Sequence, residues 1–281
     1  MLLELDERAD EVLVIDQTPA HETATSQQLQ AWNSAGDIRW IRRDAPGIPQ
    51  AMNAGLIAAQ NELVLFLDDD IIPAAGLVAA HKQAHAQHSV DAVVGQVIQP
   101  WQQPEEIQPL HLLSGLQADF DFPFHSTVSG PVQNVMAGNL SVMRDKALAI
   151  GGFDEHFIGS AYRFETEFAR RLIASGGDIW FSGEASIRHL RVPSGGTRQK
   201  GDHRASADPR HGVGDYYFAL RHGGREAFGY CLHRMVREVC TKFHLVRPWY
   251  IPVKLLGELR AWLWARQLVQ NGPRLVEAGQ R

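Results

Sequence analysis

The chain has 281 residues, 32 Asp and Glu against 27 Lys and Arg, a net charge of −5 and a hydrophobic content of 44%. This is the composition of a soluble globular protein, and its acidic balance argues against general nucleic-acid binding. Two cysteines, Cys231 and Cys240, make neither a disulfide framework nor a zinc site. No run of about 18 apolar residues is present to span a bilayer. The opening residues MLLELDERAD are acidic, where an export signal is basic and then apolar. With so few cysteines, the expected setting is cytoplasmic.

In chain order, residues 11–16 form an apolar run ending in Asp16 and a polar loop, which predicts a strand. A short helix over 26–32 and a strand over 38–41 follow. Pro49 suits the first turn of a helix over 50–60. Residues 63–67 (LVLFL) predict a buried strand, 74–88 a helix and 92–98 another strand. Residues 101–131 contain several prolines and no clear period, and are a candidate for a mobile loop over a site. A strand over 136–143, the turn Gly151-Gly152-Phe153-Asp154-Glu155 and an amphipathic helix over 165–175 come next. In that helix Phe168, Leu172 and Ile173 are expected to face in, and Arg170 and Arg171 out. Short strands over 179–181 and 185–187 run on to Arg188-His189-Leu190-Arg191, and a helical region begins near Val213. Strands alternating with helices predict an α/β, Rossmann-like, mainly parallel sheet flanked by helices, with a C-terminal helical extension. The expected division is 1–208 and 209–281.

Asp68, Asp69 and Asp70 end the apolar run of 63–67. Carboxylates placed where a buried strand leaves its sheet stand on a rigid base, in the crevice where α/β folds bind ligands. Three like charges gathered there call for a cation. Hard oxygen ligands suit Mg2+ or Mn2+, shared with a substrate phosphate. An acidic turn or a helix cap is the plainer alternative.

Six segments in this order carry a family resemblance: VLVIDQTP, GIPQAMNAGL, VLFLDDDIIP, GGFDE, FETEFARRL and IRHLR. Residues 11 to about 198 resemble the family 2 inverting glycosyltransferases of the GT-A fold. The resemblance implies transfer of a sugar from a nucleotide-diphosphate donor, with Mn2+ or Mg2+, to a hydroxyl of a glycan or lipid-linked acceptor. It places Asp16 near the donor's base, Asp70 and Asp68 on the metal with Asp68 nearer the ribose, and Asp69 beside the donor. His189 falls where relatives place a further metal or phosphate ligand. Arg191 and Arg198 flank Gly195-Gly196 and can clamp a diphosphate, since guanidinium forks match phosphate oxygens. Where the family has Glu-Asp at the start of its long helix, this chain has Phe164 and Glu165, which makes Glu165 the candidate base, with Glu167 and Asp154 as alternatives. Asn139, Asp154 and Glu167 are assigned to the acceptor side. The family also begins with a strand and a Pro-Thr-Tyr-Asn type of loop. This chain opens inside what resembles the helix after them, so about 25–35 residues are expected to be missing from the front.

Two other readings use the same residues differently. A sugar nucleotidyltransferase would show a Gly-rich basic phosphate loop near the N-terminus, which is not seen. A degenerate, non-catalytic relative would keep the fold and lose the chemistry. His81, His85 and His88 share one helix face and are read as an exposed face. From Arg221 to Arg274 there are ten Lys and Arg against Glu226, Glu238 and Glu258, with Trp249, Trp262 and Trp264 among them. Such a segment can lie on an anionic membrane surface as a peripheral contact, or pack on the main domain as a helical cap.

Overall fold

The alternation of apolar runs and helical segments is realised in the computed structural model, which describes residues 1–108, 115–191 and 202–277. β1 (Leu13–Asp16), α1 (Thr23–Ala35) and β2 (Arg39–Arg42) come first, and β1 pairs with β2 in parallel as a two-stranded sheet. α2 (Ile48–Ala58) has Pro in its first turn and leads to β3 (Leu63–Leu67) and β4 (Ile71–Pro73). α3 (Leu77–His88), β5 (Ala92–Ile98), β6 (Gly130–Pro131) and β7 (Asn139–Met143) follow. Next are α4 (Arg144–Ala149), α5 (Phe164–Ala174) and one long β8 (Ile179–His189), which unites the two short strands expected there. The helical region is α6 (Val213–His222), α7 (Ala227–Val239), α8 (Lys242–Val246) and α9 (Ile251–Asn271).

The main sheet has the order β3-β7-β5-β8-β4, with β6 added on β8. β3, β5 and β8 run in one direction, since β3 and β5 are both antiparallel to β7 and β5 is parallel to β8. Every residue of β5 is buried, as a strand covered on both faces must be. All five residues of β3 are only half-buried. β1 pairs only with β2, and β3 only with β7, so each keeps one edge without a strand partner among the described residues. α2 lies against both: a Cβ on Gly55 would stand 3.5 Å from Ile15 and 4.0 Å from Phe66.

One hydrophobic core joins the sheet to the C-terminal helices, with Leu140, Phe153, Phe168 and Phe181 in the same cluster as Tyr216, Phe218 and Ala261. α6 is the hinge of this packing, buried from Val213 to Ala219. The helical-cap alternative therefore holds for the inner side of the extension. Among the described residues no helix is long and apolar enough to cross a membrane.

Three expectations about exposure are corrected. His81 is buried, and its ring nitrogens meet Ser141 Oγ and Asn139 Oδ1, both at 2.8 Å. Burial pushes its pKa down to about 4. His85 joins the same Ser141 hydroxyl, and only His88 stays outside, stacked on Trp180. Arg170 and Arg171 do not point to solvent. Arg170 donates to the Ala118 and Gln133 carbonyls, and Arg171 to those of Ile150 and Gly152. The segment 101–131 is not a loose loop in its described part, since Leu116, Ala118 and Phe124 are buried and Phe122 packs edge-on against Phe181.

Candidate active site

β3 ends at Leu67, and the backbone turns through Asp68 and Asp69 before Asp70 enters β4 beside the end of β8. Ile71 is in register with His189, and the Leu190 amide donates to the Asp70 carbonyl at 2.8 Å. Two strand ends thus bring together residues 119 apart in sequence. His189 Nε2 lies 2.9 Å from Asp70 Oδ1 and 3.8 Å from Asp68 Oδ2. One ligand atom from each of Asp68, Asp70 and His189 falls within 4.8 Å of the others. The Asp68 side chain is 54% exposed and that of Asp70 15%, so the group opens on one side. Asp69 lies on the exposed turn.

Gln99 was not singled out in the sequence, and it fixes this arrangement. Its Oε1 lies 3.2 Å from His189 Nδ1. An imidazole that donates from Nδ1 presents its Nε2 lone pair to the two carboxylates, the orientation second neighbours impose on metal-binding histidines. Two carboxylates and an imidazole are a hard oxygen and nitrogen donor set, which fits Mn2+ or Mg2+.

Gly138 was also missed as a site residue. A Cβ there would meet Asp68 Oδ2 at 2.3 Å, so only glycine lets the aspartate lie over this backbone. The neighbouring Ala137 amide donates to Glu165 Oε1 at 2.5 Å. The segment 137–138 therefore carries Asp68 on one residue and Glu165 on the next. Glu165 lies in the first turn of α5, where the helix dipole favours its charge. Burial opposes that charge and, with Asp68 nearby and despite the Ala137 amide, raises its pKa to about 7. The turn into α5 is strained: Ala161 and Arg163 have φ of 51° and 74°. Arg163 is held there by Asp215 and by the Phe120 ring, 3.5 Å from its guanidinium carbon. Gln99 and Met136 border a cleft of about 300 Å³ whose other wall includes Gln102, Asp121, Phe122 and His125.

Asp16, at the end of β1, is 6% exposed. It accepts hydrogen bonds from the Thr18 amide, His21 Nε2 and Trp40 Nε1. Burial alone would raise its pKa, but these donors outweigh it and hold the carboxyl at about 2. Arg191, with φ of 53°, follows β8 and places its guanidinium over the Trp101 ring at 4.7 Å. Arg198 lies outside the described residues.

The three residues assigned to the acceptor side are elsewhere. Asn139 is fully buried, donating to the Gln96 and Ala185 carbonyls and bonded to His81. Glu167 is buried with both oxygens on Arg171; burial would raise its pKa, but His222 and Arg171 hold it at about 2. Asp154 is buried between Tyr217, Arg221 and the Arg274 amide. Asn139 ties β7 to α3, β5 and β8, while Asp154 and Glu167 brace α5, α6 and the C-terminal tail.

A helix-flanked α/β sheet whose like-directed strands β3, β5 and β8 are joined by antiparallel ones, with acids and a histidine gathered at strand ends, is the GT-A class of architecture. The family described as "Glycosyl transferase family 2" matches residues 2–164, and the chain belongs to that family. S. aureus TarS 1-349, solved with UDP-GlcNAc, is similar in structure at a TM-score of 0.59 and 12% identity, over 94% of this chain and 73% of that one. GalNAc-T7, solved with UDP, GalNAc and Mn2+, is similar at a TM-score of 0.51 and 15% identity, over 64% of this chain. The chain spans 37% of GalNAc-T7 and 33% of the longer TarS chain. No curated protein sequence matches it.

Proposed function

We propose that this protein is an inverting glycosyltransferase that moves a sugar from a nucleotide-diphosphate donor to an acceptor hydroxyl. The observation that carries the reading is the convergence of Asp68, Asp70 and His189 at the ends of β3, β4 and β8. Those three residues would hold Mn2+ or Mg2+, which when bound supplies positive charge to the departing diphosphate. Gln99 keeps His189 turned toward the carboxylates, and Gly138 leaves room for Asp68.

Glu165 is the base. A carboxylate with a pKa near 7 can take a hydroxyl proton at neutral pH. The acceptor oxygen gives that proton to Glu165 and forms its bond to the anomeric carbon. The bond from that carbon to the diphosphate oxygen breaks on the opposite face, and its electron pair leaves with the diphosphate. The acceptor enters from the cleft between Gln99, Asp121 and Met136, and Arg191 lies near the donor's phosphates. Asp16 faces the donor's base once His21 yields one of its bonds.

TarS was solved with UDP-GlcNAc and GalNAc-T7 with UDP, so UDP-sugars are the first donors to try. We place residues 1–208 as the donor domain and 209–281 as its helical cap, working on the cytoplasmic side in polysaccharide or glycolipid assembly. Incubation with Mn2+, a panel of sugar nucleotides and a glycan acceptor should release nucleoside diphosphate. Release that is the same with EDTA, or the same from Glu165→Gln, would overturn the assignment.

A further inference from the structure

α7 and α9 lie side by side, tied by ion pairs from Arg234 to Glu258 and from Lys254 to Glu238. In each helix the side turned to the rest of the protein carries small, aromatic and charged residues, and several large aliphatic ones are left outside. α7 buries Ala227, Tyr230, Cys231 and Arg234. Its apolar residues recur at 228, 231, 232, 235, 236 and 239, a stripe centred roughly 120° around the helix from that buried face at about 100° per residue. Phe228, Leu232 and Val236 are therefore exposed, Phe228 to 76%. α9 repeats the inversion. It buries Lys254, Gly257, Glu258, Ala261 and Ala265, while Leu255, Leu259 and Leu263 face solvent. Of the sixteen large hydrophobic residues exposed among the described residues, ten lie between 228 and 263. The cause is local. The inner faces are committed to small residues and to the charges of Arg234, Lys254 and Glu258 against Asp215, which leaves large aliphatic side chains on the outer side.

The charges around this surface identify what covers it. Exposed Arg225, Lys242, Arg247, Arg260 and Arg266 lie along the same stretch of chain. The exposed acids nearby are Glu226, whose carboxylate accepts the Leu116 amide, and Glu277. This excess is local, because the whole chain carries −5. Trp249, which precedes α9, is 65% exposed, and an indole suits a boundary between water and lipid. A second copy docked on this face about a two-fold axis would set one basic rim against another. An apolar stripe rimmed by cations matches an anionic leaflet instead. We propose that the outer face of α7 and α9 seats the protein on an anionic bilayer surface, lying in the interface without crossing it.

The test uses the full chain and sedimentation with vesicles of phosphatidylglycerol or of phosphatidylcholine alone. The expected result is binding to the anionic vesicles, at least ~10-fold weaker to the neutral ones. Raising ionic strength from about 0.1 M to about 1 M, which shortens the Debye length from ~10 to ~3 Å, weakens it. Phe228→Ser with Leu232→Ser should reduce partition at least ~10-fold, at roughly 0.8 kcal/mol per buried methylene. Lys242→Glu with Arg266→Glu, at exposed positions, should do the same and keeps the test open if the serine pair fails to fold. Equal binding to both lipids, no binding to either, or a dimer that the serine pair dissociates would each overturn the proposal. Donor binding is unaffected by these changes, so the result stands apart from the catalytic reading.

Discussion

Two clusters of charge sit in this protein, and they differ in what surrounds them. Between α6, α7 and α9, Asp215, Arg234, Lys254 and Glu258 are all buried, and each carboxylate meets a cation and a tyrosine. At the ends of β3, β4 and β8, two aspartates and a histidine face one another, open to solvent on the Asp68 side. The first cluster is closed upon itself and holds helices together. The second gathers acceptors around a common point, and the Glu165 carboxyl beside it is displaced from its ordinary pKa. Charges enclosed between helices hold structure together, whereas charges gathered at strand ends with one side on solvent stand where a ligand can reach them.

The largest expected effect breaks the closed cluster. Asp215→Ala takes from Arg234 its nearer carboxylate and from the buried Tyr230 hydroxyl its acceptor, and should cost about 3–5 kcal/mol in urea unfolding. Asp68→Asn, at the open cluster, should stay within about 0.5 kcal/mol. Equal losses would erase the distinction. Next, Glu165→Gln should leave donor binding intact and lower turnover at least ~100-fold. Wild-type turnover should fall as pH drops through a limb at or below about 7, because protonated Glu165 cannot accept a proton and a cation beside Asp68 would lower the limb. A flat profile from pH 5 to 8 on this order would contradict it.

The same substitution has an opposite effect on stability. The folded protein holds the Glu165 proton up to about pH 7, while the unfolded chain releases it near the ordinary glutamate value of 4.5. Its contribution to stability is therefore lost as pH rises through that window. Glu165→Gln should be more stable than wild type at pH 8, by up to ~3 kcal/mol. A destabilised Gln variant would return Glu165 to a structural role. The smallest effect is expected at Gln99→Ala, which frees His189 to rotate and should weaken Mn2+ affinity by roughly 10–100-fold.

The gathering of Asp68, Asp70 and His189 was legible in the sequence, because it depends on where strands end. LVLFL followed by Asp68 and Asp70, and the run into His189, are signals of that kind. Residues that act through partners were not legible. Gln99 follows β5 by one residue and belongs to no motif. Gly138 matters only because Asp68 lies over it. Asn139, Asp154 and Glu167 looked available as polar residues near a turn or a helix start, yet each is buried by partners from distant segments, with Tyr217 and Arg221 on Asp154 the clearest case. Arg170 and Arg171 fell on the polar side of a helix, and periodicity does not say that a carbonyl-rich surface will cover that side. The same limit hid α7 and α9, where the apolar stripe marked an outer face.

Mn2+ titration followed by the paramagnetic resonance of the free ion, with and without UDP, bears most directly on the cluster at the strand ends. Wild type should take up one ion, more tightly when UDP is present, and Asp70→Ala should lose at least ~100-fold in that UDP-linked affinity while remaining folded. An Asp70→Ala variant that binds Mn2+ and UDP as wild type does would show that the ion, and the chemistry assigned to it, belong elsewhere.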